Sequence, residues 1–255
     1  MNYKLKRKLI SLGLEDFVNV VEENESNILN TDKTFDERIF DIASRLEEIR
    51  NNNRITRLIA NANFKYKTAS VESVDCSCRS INKETLNNLA KMKFLLKGNN
   101  INITGYTGSG KTNLACALGV EACKQGYKTY YITMQNLFKT FDNLQDKPRK
   151  LKEQKTKFAN YKLLIIDEWL MDKPNEKELR YLYELIDSRL GNSNIFVSQF
   201  DPSEWYDKLG GGIKAESILD RILHIAYPIP STKTNIREKI DTQILEELKK
   251  EIEVK

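Results

Sequence analysis

Apolar residues recur along the first quarter of the chain at helical spacing and, beyond residue 100, in short runs typical of strands. Phe35, Ile39, Ile42, Leu46 and Ile49 step 4-3-4-3, which predicts one apolar stripe on a helix running to about Arg50. Thr34 and Glu37 fit a capping box ahead of it. The hydroxyl takes the amide proton three residues on and the carboxylate reaches back. Ile55, Leu58, Ile59 and Ala62 share one face of a second helical stretch. Residues 1–30 read as short helices with a polar interruption. Residues 1–70 are therefore expected as a small all-α N-terminal domain. Residues 71–85, polar and extended in character, read as a linker, and Asn82–Lys97 as helix again.

From there strands and helices alternate. Ile101–Thr104, Thr129–Thr133, Leu163–Asp167, Ile195–Ser198 and His224–Ile229 predict strands. Lys111–Lys124, Gln135–Phe141 and Glu176–Leu190 predict helices between them. Leu163 to Ile166 is apolar at every position, as a strand buried on both faces must be. The expectation for residues 71–255 is an α/β fold, a parallel five-stranded sheet flanked by helices. Phe138, Phe141 and Phe158 read as core, and Ile240–Lys255 as a charged helix.

Composition adds limits. A chain of 255 residues accommodates one α/β core and a smaller appendage. Its net charge of +5 matters only where basic residues cluster. No run approaches the roughly 18–20 apolar residues of a membrane span. The basic N-terminus is not followed by the apolar core of a signal peptide. A cytoplasmic protein without a membrane partner is expected. Cys76, Cys78, Cys116 and Cys123, with the single His224, lack the pairwise spacing of a closed zinc site and read as free thiols.

The candidate chemistry begins after the first strand. Gly105, Tyr106, Thr107, Gly108, Ser109, Gly110, Lys111 and Thr112 spell Gly-x-x-x-x-Gly-Lys-Thr between an apolar strand and an amphipathic helix. Backbone N–H groups of such a loop curl around phosphates, and the following helix adds its dipole. Asn113 continues the set at the helix start. Lys111 is placed to meet the β- and γ-phosphates of ATP, and Thr112 to offer a hydroxyl to Mg2+. Asp167 and Glu168 emerge where a buried strand ends. Asp167 suits the Mg2+ shell, and Glu168 suits a general base for water.

Several segments together resemble one family. They are Gly105–Thr112 followed by Asn113-Leu-Ala115, then Leu163–Leu170, Phe196–Phe200 with Trp205, and Ile218–His224. They are similar to the IstB/DnaC-like AAA+ ATPases, and to IstB, the insertion-sequence transposition helper, in particular. Phe35–Arg38 and Arg54–Phe64 extend the resemblance over nearly the whole chain. It implies the AAA+ P-loop NTPase fold and further roles. Gln199 falls where the family has its sensor-1 residue, and Arg221 where it has an arginine finger toward a neighbouring subunit's ATP. The plain alternative for Arg221 is a pair with Asp220 or Asp201. Arg237 falls at sensor 2, without the glycine usually found before it; its alternative is a surface residue.

Two basic clusters carry the DNA expectation. Arg50, Arg54 and Arg57 fall at i, i+4 and i+7 on one helix face. Lys147, Arg149, Lys150 and Lys152 lead a second basic run over residues 146–157. A charge run by itself is usually a solvated face. The resemblance implies contact with the phosphate backbone of double-stranded DNA. It implies a nucleoid-associated ATPase, stimulated by DNA, that assembles as a homo-oligomer on target DNA, delivers it to a partner transposase and is released on hydrolysis. A DnaC-like loader of a replicative helicase is the alternative. A metabolic P-loop kinase is the third reading, which Glu168 beside Asp167 disfavours because it suits activation of water.

Overall fold

The front of the chain is helical: α1 (Tyr3–Ser11), α2 (Glu15–Glu25) and α3 (Phe35–Asn61). Asn2 caps α1, its side chain accepting from Lys4 N at 2.9 Å. Thr34 and Glu37 make the expected reciprocal box at α3, with Thr34 N to Glu37 Oε2 at 2.7 Å and Glu37 N to Thr34 Oγ1 at 3.3 Å. The Thr34 amide and hydroxyl hold the Glu37 carboxyl below its usual range. The two expected helices are one, 27 residues long. No glycine or proline falls between residues 35 and 61, so nothing breaks the helix. The expected stripe is only partly covered: Ile42 is buried, whereas Phe35 is 68% and Ile39 42% exposed.

The computed structural model describes residues 1–26, 33–74, 76, 81–224 and 226–231. It divides into two units, Met1–Arg57 and Leu58–Lys255. Residues 58–70, expected with the front end, group with the second. The expected C-terminal helix and Arg237 lie outside the described residues, as does Cys78.

After the end of α3 the second unit continues with α4 (Lys83–Ala90) and α5 (Lys93–Lys97). The single helix expected there is interrupted at Met92, which takes a left-handed φ of 54° with its side chain only 1% exposed. Val71, Val74 and Ile81, within the expected polar linker, are buried in the core. Next come β1 (Asn100–Thr104), α6 (Lys111–Lys124), β2 (Thr129–Thr133), α7 (Met134–Asp142) and α8 (Pro148–Ala159). The chain continues as β3 (Leu163–Trp169), α9 (Glu176–Ser188), β4 (Ser193–Ser198), α10 (Trp205–Lys208), α11 (Gly212–Leu223) and β5 (Ala226–Pro230). The five strands are parallel in the order β2-β3-β4-β1-β5.

Strand alternation sorts the core into two layers. Ile101, Ile103, Tyr131, Leu163, Ile165, Ile195 and Val197 share one cluster with α6. Ile132, Leu164, Ile166 and Phe196 share the other with α7, α9 and α11, and Phe138, Phe141 and Phe158 lie in it as expected. Trp169 and Trp205 pack on Phe196, ring centroids 4.7 and 6.2 Å away. Odd-numbered positions of β3 thus face α6, and Asp167 continues that parity at the strand's C-terminal end, beside the loop that enters α6.

Candidate nucleotide site

Three elements meet at this edge. The loop after β1 turns with Gly105 at φ 140°, Gly108 at 82° and Gly110 at 75°, a path L side chains rarely follow. A Cβ at Gly105 would lie 2.6 Å from Ser231 Cβ, because Ser231 N donates to Thr104 O at 2.7 Å and draws the chain after β5 against the loop. Tyr106 O accepts from Ser109 Oγ at 2.8 Å and from Lys111 Nζ at 2.6 Å. The lysine is folded into its own loop, 8% exposed.

Asp167 is 4% exposed and satisfied on both oxygens. Thr112 Oγ1 donates to Oδ2 at 2.8 Å, Tyr131 OH donates to the same oxygen at 2.7 Å, and Glu168 N donates to Oδ1 at 2.8 Å. Burial, then the Asp167 charge and the bond to it, push the Tyr131 hydroxyl pKa far up, so it is a donor at every working pH. After Ile166 the register of β3 against β4 shifts. Glu168 takes φ 55° and Leu170 φ 57°, and this bulge turns the Glu168 side chain out to solvent beside a buried Asp167. Glu168 also lines a cleft of about 260 Å³ with Gln135, Lys139, Asp172 and Lys173.

Gln199 follows β4 and bonds across to the loop: Thr107 Oγ1 donates to Gln199 Oε1 at 3.0 Å. The structure therefore brings together Gly105–Asn113, Asp167, Glu168 and Gln199. Arg221, on α11, is held elsewhere. Its Nη2 lies 2.9 Å from Asp187 Oδ1 on α9, its Nη1 donates to Ser217 O at 2.8 Å, and its guanidinium lies 5.3 Å from the Tyr183 ring centre. The alternative partners Asp220 and Asp201 are not the ones used. Arg50, Arg54 and Arg57 are exposed on α3, and Lys147, Arg149, Lys150 and Lys152 are exposed at the start of α8. Lys155 of the same run lies 2.6 Å from Glu184 and sits over the Tyr181 ring. Sequence reasoning missed Tyr131. Only its parity in β2 and the pairing Thr133↔Asp167 reveal that it faces the carboxylate.

A parallel sheet covered by helices on both faces, with a phosphate-type glycine loop leaving its β1 strand and an acidic pair ending β3, has the architecture of an AAA+ P-loop NTPase. Within that class, residues 7–243 match the IstB-like ATP binding proteins, and the chain belongs to that family. A putative insertion sequence ATP-binding protein of Sinorhizobium fredii is 28% identical over 74% of this chain and 76% of its own length. The IS5376 putative ATP-binding protein of Geobacillus stearothermophilus is 30% identical over 72% of this chain and 74% of its own. Among solved structures, a DNA replication initiation factor has a TM-score of 0.58 at 20% identity, covering 72% of this chain and 56% of that one. The DnaC helicase loader has a TM-score of 0.54 at 18% identity, covering 64% of this chain and 97% of that one. Both share the fold. Among the described residues no helix is long and apolar enough to cross a membrane.

Proposed function

We propose that this chain binds ATP with Mg2+ and hydrolyses it, that ATP-bound copies assemble on double-stranded DNA, and that they deliver this DNA to a partner transposase. Hydrolysis then releases them. The observation that carries the reading is the 2.8 Å bond between Thr112 and Asp167, which joins the loop to the acidic strand end with Glu168 exposed next to it. The insertion-sequence origin of the relatives supports the transposition role.

The residues fit a magnesium-bound nucleotide. Thr112 and the buried Asp167 offer the hard oxygens that Mg2+ prefers. Bound there, the ion would neutralise charge on the phosphate oxygens. The loop's N–H groups and Lys111 hold the phosphates, Lys111 leaving Tyr106 O for the β- and γ-oxygens. Glu168 takes the proton of the attacking water. Gln199 leaves Thr107 to orient that water or the γ-phosphate. Arg221 acts on a neighbouring subunit's ATP. Its pair with Asp187, 48% exposed on the acidic side, is worth only about 0–1 kcal/mol and does not prevent that release. The arginines of α3 and the basic start of α8 meet DNA phosphates.

The test is phosphate release from ATP with and without duplex DNA. Release stimulated by DNA is expected. ADP formation that ignores DNA, liberates no free phosphate and needs a small acceptor to take the phosphoryl group would overturn the proposal in favour of a kinase. Mixing Arg221→Ala with Glu168→Gln subunits should restore part of the turnover; no restoration leaves Arg221 a structural residue.

A further inference from the structure

We propose that Tyr131 is a positioning residue for Asp167, and that the segment Ala62–Asn63 holds Tyr131 in register for that task. The inference rests on the reading of Asp167 as a Mg2+ ligand.

Among the described residues β2 is an edge strand, and no other described strand pairs with one side of its backbone. At Tyr131 that side is filled by the residues that follow α3. Tyr131 N donates to Ala62 O at 2.8 Å, and Asn63 Nδ2 donates to Tyr131 O at 3.2 Å. A side-chain amide here stands in for the N–H of a missing strand. Asn63 takes φ 57° to do so, a conformation asparagine tolerates better than most residues. The segment is locked on both sides of Asn63. Ala62 is 0% and Phe64 4% exposed, and Phe64 lies so close to α6 that a Cβ on Gly119 would come within 2.5 Å of its ring.

With its backbone fixed, Tyr131 projects from the α6 face of the sheet. Tyr131 pairs with Ile165 in the ladder, so Asp167 is its diagonal neighbour two positions on, within reach of a long side chain. The hydroxyl donates to Oδ2 at 2.7 Å. Without it, Oδ2 would keep only the bond from Thr112, the group that itself faces the metal. Oδ2 would then be oriented by a partner whose own position changes when the site fills, while Oδ1 would keep its bond from the adjoining Glu168 amide. Tyr131 supplies an orientation independent of that. Such an outer partner typically tunes metal affinity by about 10–100-fold.

The experiment is binding of a fluorescent ATP analogue to the full chain across a Mg2+ titration, and again in EDTA. Tyr131→Phe, which keeps the ring, should raise the half-saturating Mg2+ concentration about 10–100-fold. Binding in EDTA and the far-ultraviolet circular dichroism should stay as in the wild type. Added to Asp167→Asn, the same change should shift nothing further. Asn63→Gly keeps the hydroxyl and the positive φ and should shift Mg2+ dependence in the same direction, by less. Wild-type Mg2+ dependence in Tyr131→Phe, equal weakening with and without Mg2+, or an additive shift on Asp167→Asn would each overturn the proposal. An unmoved Asn63→Gly would overturn the role of the segment. Nucleotide binding by the wild-type chain that ignores Mg2+ is a separate pattern, and it would sink the reading of Asp167 itself.

Discussion

Glu168 combines a proposed chemical role with an unfavourable backbone. A left-handed conformation costs a non-glycine residue about 1–2 kcal/mol. Glu168 is held at φ 55° by the shift in β3 and by the bond from its own amide to Asp167 Oδ1. Such strain is typical of positions where geometry matters more than stability. Glu168→Gln should therefore bind the ATP analogue normally and lose about 10²–10⁴-fold in hydrolysis rate, measured in single turnover. Glu168→Gly should lose hydrolysis equally yet melt within a few degrees of the wild type. Relief of strain and the extra freedom of glycine when unfolded are each about 1 kcal/mol and opposed in sign. Normal turnover in either variant removes Glu168 from the base role. The cysteines give a second test at this scale. Burial raises the Cys116 thiol pKa and pushes Cys123 up to about 11, so both remain protonated and inaccessible near pH 8. Peptide mapping after alkylation at pH 8 should find both unmodified in native protein and both modified in denaturant. Native labelling of either would contradict the packing of α6.

At the scale of elements, one buried side chain ties together what the sheet leaves apart. Arg189, just past α9, is 1% exposed. It donates to Phe158 O at 2.6 Å, Tyr161 O at 2.9 Å, Ser193 O at 2.7 Å and Asn194 Oδ1 at 2.6 Å. The end of α8, the entry to β3 and the start of β4 thus share one guanidinium. Arg189→Ala would strand these acceptors in the interior, a loss of about 3–5 kcal/mol. The expected result is a lower urea midpoint with an unchanged slope; an unmoved midpoint would deny Arg189 this role. Features like this mark the limit of what the sequence shows. Gly105–Thr112 and Asp167-Glu168 are legible because each is contiguous and its chemistry is local. The strands were legible because their apolar runs are. Tyr131 and Arg189 look like any core tyrosine and any helix-end arginine, since what defines them is a partner brought near by folding, 36 residues away for Tyr131 and Asp167. Periodicity predicted the stripe on α3 but not its exposure, because spacing says which residues share a face and not what covers it. Arg221 was singled out only through resemblance, and its contact with Asp187 depends on how α11 packs on α9.

At the scale of the whole molecule, a net charge of +5 is too small to drive DNA binding unless it is focused. It is focused at the start of α8. Lys147, Lys150 and Lys152 are exposed, and Arg149 is 94% exposed and paired with Glu153 at i,i+4. Lys155, engaged by Glu184 and the Tyr181 ring, belongs to the packing instead. Each phosphate neutralised releases counterions, so log affinity falls with log salt by about 0.9 per contact. Replacing Lys147, Lys150 and Lys152 by alanine together should flatten that slope by about three if all three meet phosphates. Affinity should fall alike for any duplex sequence, and stability should change little, since exposed substitutions stay within about 0.5 kcal/mol each. Arg50→Ala with Arg57→Ala should flatten it by about two on the same terms. Fluorescence anisotropy with a labelled duplex between 50 and 200 mM salt, with ATP and Mg2+ present, measures both. Two unchanged slopes would make these clusters solvated faces and leave the chain without its proposed DNA contact. A change confined to one set would locate the contact on α8 or on α3. A loss that varies with duplex sequence would point to base contacts, for which the planar guanidinium groups of Arg149 and of α3 are better suited than the lysines.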